Sequence, residues 1–158
     1  MDANWIVAAN AGRARFFSLA KAGERMQEVY DMVNTAARQR ESDIETDDLG
    51  ELAAGASRHN VGVGPTTPSG YQPHQTPKQH ETELFARDVA KYLLQAHHEG
   101  RFRHLSLVAS PEFLGVLRRE MDPQLAKAIE AEIDKDYTHA SGEELRERIQ
   151  RHRDSRSN

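Results

Sequence analysis

Trp5-Ile-Val-Ala-Ala9 is an unbroken apolar run, the pattern of a strand covered on both faces. Asn10 and Gly12 favour a tight turn, and residues 13 to 19 read as the antiparallel neighbour of the first strand. A second turn at Lys21 to Glu24 leads to a third strand over 25 to 33, with Met26, Tyr30 and Met32 expected on one face. Apolar order returns at Thr76-Pro77-Lys78-Gln79, which combines an N-cap, a proline at the first helical position and a glutamine at the capping-box position. The helix that follows should carry Phe85, Val89, Tyr92, Leu93 and Ala96 on one face and stop at Gly100. Residues 103 to 109 predict another strand. Ser110-Pro111 then caps a helix bearing Phe113, Leu114, Leu117 and Met121, which ends near Asp122-Pro123. Ile129, Ala131, Ile133 and Tyr137 alternate with charged residues and predict a strand, with a helix running on from Pro123 as the competing reading. Ser141-Gly-Glu-Glu144 is a second capping box, opening a final helix through Leu145 and Ile149.

The predicted order is strand, strand, strand, helix, strand, helix, strand, helix. An antiparallel meander followed by two parallel additions through right-handed crossovers is the ribonuclease H-like succession, so the fold class is α/β: a mixed sheet of three antiparallel and two parallel strands with helices packed on it. With 158 residues and 37% hydrophobic content the chain supports one domain over 1 to 158. From Asn34 to about Gln75 the periodic pattern is lost. Glu41, Asp43, Glu45, Asp47, Asp48 and Glu51 run into Gly-, Pro- and Thr-rich sequence too poor in apolar groups to offset its ordering entropy, so a disordered or mobile arm is expected at about 34 to 75.

Composition narrows the chemistry. The chain has no cysteine, which removes disulfides, thiolate zinc sites and thiol nucleophiles and suits a reducing compartment. Its first residues show neither a basic leader nor a membrane span, and a cytoplasmic location is expected. A net charge of -4 exerts no global pull toward nucleic acid, so any such contact must come from a local patch.

Strand directions collect most candidate groups at one sheet edge. Asn10, Ser110 and the segment from Asp134 to His139 all follow strands that run the same way, Arg13 begins the returning strand, and His80 begins the long helix. Open sheets bind ligands outside the carboxyl ends of their strands. Two-metal phosphodiester chemistry needs several converging carboxylates, yet Asn10 and Ser110 stand at two of the ligand positions and leave only Asp134 and Asp136. No metal or cofactor is therefore expected, and the residues argue against an enzyme rather than for one. The Asn10 to Arg13 turn is similar to the phosphate hairpins of actin-like ATPases, which need two such domains; good turn chemistry explains it as well, although Arg13 and Arg15 could receive phosphate. His97-His98-Glu99 reads as a helix C-terminal feature, Ser110 as an N-cap rather than a nucleophile, and His80 and His139 as hydrogen-bonding groups. Arg101, Arg103, His104, Arg118 and Arg119 form a modest basic patch at the opposite edge.

Four stretches in order carry a resemblance: Trp5 to Arg15, the helix entered by His80-Glu81 with Phe85-Ala-Arg87, Leu107-Val-Ala-Ser-Pro-Glu-Phe-Leu114, and Asp134-Lys-Asp-Tyr-Thr-His139. Together they resemble the bacterial host attachment protein family, itself similar to the middle domain of archaeal and eukaryotic peptide-release factors. The resemblance implies a ribonuclease H-like fold and a release-factor-like module contacting ribosome or tRNA, with Asn10, Arg13, Arg15, Gln72, His80, Asp136, Thr138 and His139 as the binding positions. In release factors the arm after the third strand carries a Gly-Gly-Gln tip. Here the arm has Gly62-Val-Gly64 and Gly70-Tyr-Gln72 instead, and Tyr71 removes the backbone freedom a hydrolytic tip requires. Hydrolytic release is therefore not expected. The family name offers the alternative of a protein-interaction adaptor needed for attachment to host cells.

Overall fold

β1 (Asn4–Ala9) is the central strand of a five-stranded sheet in the order β3-β2-β1-β4-β5. The computed structural model describes residues 3–19, 25–39 and 76–158. β2 (Arg13–Leu19) pairs antiparallel with β1, and β3 (Gln27–Val33) pairs antiparallel with β2. The helix α1 (Pro77–His98) crosses to β4 (His104–Ala109), which lies parallel to β1 with Trp5 beside Leu105 and Ala9 beside Ala109. After α2 (Pro111–Glu120) and the single turn α3 (Pro123–Lys127), β5 (Ile129–Ile133) joins β4 in parallel; α4 (Gly142–Ser157) closes the chain. This is the ribonuclease H-like mixed sheet.

Alternation along β1 divides the interior in two. Trp5, Val7 and Ala9 face a large cluster with Phe85, Val89 and Leu93 of α1 and Phe113 and Leu117 of α2. Ile6 and Ala8 face a smaller one with Phe17, Val108, Ile133 and, from α4, only Leu145 and Ile149. Each large apolar side chain so buried contributes about 1.5–3 kcal/mol, so the first face carries most of the stability. Tyr92, expected on the buried face of α1, lies at its flank, where it stacks on Tyr30 at 4.5 Å. Thr76 and Gln79 form the reciprocal capping box. Gly100 takes φ +74° just past the helix end, the left-handed conformation that glycine enters without strain.

Both edge strands depart from simple alternation, for one reason. Register slips between Phe16 and Phe17, which face Tyr30 and Glu28, leaving Val29 as an extra residue. Beyond a bulge the side chains exchange faces, so Met26 joins the smaller cluster while Met32 packs against the larger, contrary to the single face expected for Met26, Tyr30 and Met32. A second slip between Leu105 and Ser106 leaves Glu130 extra in β5, so Ile129 packs on the large cluster and Ile133 in the small one. The helix that competed for this stretch ends at Lys127, and Tyr137 lies beyond the strand.

Two further expectations are corrected. Ser110 occupies the N-cap position of α2, but its side chain makes no capping bond, and only its carbonyl accepts from Leu114 N at 2.9 Å. The arm was expected to begin at Asn34; that residue is buried, and a helical segment over 35–39 follows it. The remainder of the expected arm, with Gln72, lies outside the described residues, as does the turn at Lys21 to Glu24.

Candidate functional site

The carboxyl ends of β1, β4 and β5 share one edge with the start of β2 and the end of β3, and Asn10 is its centre. The turn from Ala9 to Arg13 is closed by Asn10 N donating to the Arg13 carbonyl at 2.8 Å. The Asn10 side chain bridges this turn to the segment after β5. Its Oδ1 accepts from Gly12 N at 2.8 Å and Arg13 N at 2.9 Å, the side-chain turn for which asparagine is suited. Its Nδ2 donates to Asp136 Oδ2 at 2.9 Å and to Thr138 Oγ1 at 3.1 Å. An asparagine here satisfies acceptor and donor demands at once, whereas an aspartate would set two carboxylates against each other.

Asp136 Oδ1 accepts from both the Thr138 amide at 3.0 Å and the Thr138 hydroxyl at 2.6 Å. Burial pushes the Asp136 carboxyl upward, but bonds from the Thr138 hydroxyl, Asn10 and the Thr138 amide, with the His139 charge, outweigh it and hold the group below its ordinary range. The carboxylate thus stays ionised and saturated with donors. Thr138 itself is fully buried. Asn34 supports the same corner: its amide N donates to the Gly12 carbonyl and its Nδ2 to the Ala11 carbonyl, both at 2.9 Å.

The two arginines differ in what they hold. Arg13 forms a fork with Asp31, Nε to Oδ1 at 3.0 Å and a terminal nitrogen to Oδ2 at 2.7 Å, on a half-exposed surface. The hydrogen bond from Arg13, opposed by partial burial and aided by its charge and those of Arg15 and Arg38, lowers the Asp31 pKa. Arg15 is more deeply placed, with 12% of its side chain exposed. It pairs with Glu28 at 2.8 and 3.1 Å, donates to the Thr138 and Ala140 carbonyls, and lies 5.0 Å over the Phe17 ring. Arg15 therefore ties the segment after β5 to the sheet, a structural task that no local motif announces. Its partner Glu28, and the Asp31 partner of Arg13, could have been guessed from cross-strand alternation only with knowledge of the Val29 bulge.

Of the residues singled out in the sequence, Asn10, Arg15, Asp136 and Thr138 form one connected network. Arg13 joins it through its amide, and His139 through its charge on Asp136. His80 sits exposed in the first turn of α1, and among the described residues no side-chain hydrogen bond joins it to the network. Asp134, paired in expectation with Asp136, diverges from it into the cleft beside β5 with Arg118 and Arg156. Among the described residues no three His, Asp or Glu side chains are grouped to hold a metal ion. At the far edge the basic patch is exposed, and two of its groups are engaged within the protein: Arg118 pairs with Glu132, and Arg101 lies 4.9 Å over the Trp5 ring. No helix among the described residues is long and apolar enough to cross a membrane.

Sheet order and edge network define an α/β domain of ribonuclease H-like topology whose strand-end corner is held by an amide, a hydroxyl and a carboxylate. The chain belongs to the family described as "Protein required for attachment to host cells", whose model matches residues 5–149. It is also similar to an uncharacterised protein of Rickettsia prowazekii, 32% identical over 68 residues. That match covers 42% of this chain and 45% of the relative, so the chain spans under half the length of that curated relative.

Proposed function

We propose that the domain is a non-hydrolytic, release-factor-like module that contacts ribosome or tRNA through the edge centred on Asn10. The observation that carries this reading is how the chain after β3 is anchored: Asn34 binds the Ala11 and Gly12 carbonyls at this edge and a helical segment over 35–39 follows it, so the described chain is tied to the Asn10 network where it runs toward residue 40. Arg13 is the group suited to phosphate: its pair with Asp31 is half-exposed, and a surface pair of that kind is weak enough to exchange for an RNA oxygen. Arg15, committed to two carbonyls and Glu28, is not. The resemblance to release-factor middle domains drawn from the sequence favours the same reading, and the Gly70-Tyr71-Gln72 sequence separates it from hydrolytic release.

Ribosome pelleting over a salt series tests it. Phosphate contacts release counterions, so pelleting should fall as salt rises, Arg13→Ala should lower it at each salt, and deletion of 60–74 should lower it further. Equal pelleting by all three proteins removes the site assignment. Absence of pelleting at any salt supports the second reading, a protein adaptor in host attachment, which the family description favours; a stoichiometric protein partner in pull-downs would then identify it.

A further inference from the structure

The outer edge of β5 carries a cleft of about 1070 Å³ that shares no residue with the Asn10 network. Sheet order leaves β5 at the margin, paired with β4 alone, so the backbone groups that point away from β4 have no strand beside them. The strand forms the floor, α2 forms one wall with Leu114, Gly115 and Arg118, and the end of α4 forms the other with His152 and Arg156. Gly115 is the anomaly. It lies inside α2 without a positive φ, where glycine costs stability relative to alanine, and a Cβ built there would meet nothing within 4 Å. Neither the backbone nor packing within the domain calls for it, whereas a bare helix surface beside an open strand suits a chain that approaches closely. The two walls differ in charge. On the α2 side Arg118 is met by Glu132, and the rest of that wall is apolar. On the α4 side Glu130 is met by Arg153, and among the described residues neither His152 nor Arg156 has a carboxylate partner.

We infer that this edge takes an extended segment of a partner polypeptide as an added strand, with apolar side chains toward Gly115 and acidic ones toward Arg156 and His152. Successive side chains of a strand point to opposite faces, so a segment of alternating apolar and acidic residues meets both walls at once while its backbone bonds to β5. The five residues of β5 set the length of the paired segment at about 17 Å. Asp134, one residue beyond β5 and in the same cleft, puts the seat of the acidic side chains at the α4 wall rather than at the carboxyl end of the strand. A second copy of this chain fits less well. A two-fold interface presents the same patch on both sides, and two such clefts set face to face would enclose a hollow that one extended strand fills.

The test is a titration of the whole chain by two-dimensional NMR with an end-blocked peptide of about five residues that alternates valine and glutamate, and with its lysine counterpart. The glutamate peptide should shift the Gly115, Ala131 and Glu132 amides saturably, and the lysine peptide should bind roughly tenfold more weakly. Only alternate amides of an added strand face β5, so of the two forms of the glutamate peptide that are N-methylated at alternate amides, one should lose binding and the other keep it. Gly115→Leu places a good helix former in open space, so it should raise the thermal midpoint by about 1–4 °C while weakening the peptide roughly tenfold. Arg156→Glu should invert the preference for glutamate over lysine, and it tests the site even if Gly115→Leu folds poorly. Equal binding of the two peptides, binding by both methylated forms, an unchanged affinity in a folded Gly115→Leu, or an unchanged preference in Arg156→Glu would each overturn the assignment. Shifts of the same amides with protein concentration alone would overturn it in favour of a second copy.

Discussion

Replacing Asn10 with alanine removes four hydrogen bonds between 2.8 and 3.1 Å: two that shape the turn and two that reach Asp136 and Thr138. Each bond of this kind contributes about 0.5–1.5 kcal/mol net, and more where a carboxylate is the acceptor. The Gly12 and Arg13 amides and the Asp136 oxygen are partly accessible and regain water in the variant, so the lower half of that range applies to them. The Thr138 hydroxyl keeps Asp136 as its partner but remains buried. The sum is a loss of about 2–3 kcal/mol. At about 2–4 °C per kcal/mol for a domain of this size, the thermal midpoint should fall by about 4–12 °C. Asn10→Asp sharpens the test: it retains the turn acceptor but faces Asp136 with a second carboxylate, so one of the two must hold a proton at a raised pKa. A raised folded-state pKa confers its stability at low pH and withdraws it as pH rises, so this variant should recover toward wild type between pH 8 and pH 5. Urea unfolding followed by circular dichroism, at both pH values, measures all three proteins. If Asn10→Ala unfolds at the wild-type midpoint, the network does not hold the corner and the reasoning fails.

Arg15→Lys keeps the charge but cannot reproduce the fork to Glu28 while donating to the Thr138 and Ala140 carbonyls. It should cost about 1–3 kcal/mol and raise amide exchange over 137–140; unchanged exchange there would assign Arg15 to the surface instead. Wild-type stability should also fall in acid. Asp31 and Asp136 both have folded-state pKa values below their ordinary ones, so their contribution is full above the unfolded carboxylate range and is lost as pH drops through the folded values. Melts from pH 7 to pH 3 should show the decline beginning below about pH 5, with Asp31→Asn flattening it; an identical slope in that variant would remove Asp31 from the account.

Local chemistry made much of this fold legible. The apolar run at Trp5 to Ala9, the Asn10–Gly12 turn, the Thr76–Gln79 box and the Pro111 helix start are short-range signals, and each element stands where its signal placed it. The position of Asn10 at a strand end was equally readable, because strand direction follows from the order of elements. Bulges were not. The extra residues Val29 and Glu130 are fixed by pairing with partner strands, and one residue of slip exchanges the faces of everything beyond it, so the placements of Met26, Ile129 and Ile133 waited on the assembled sheet. The same holds for the site. Sequence brought Asn10, Asp136 and Thr138 to one edge, but whether their side chains meet, diverge as Asp134 does, or consume one another's hydrogen-bonding capacity depends on contacts across more than 120 residues of chain. Arg15 makes the point most plainly: its residue type suggests a phosphate ligand, and only the tertiary structure, by bringing two backbone carbonyls and Glu28 within reach, makes it a tie within the protein.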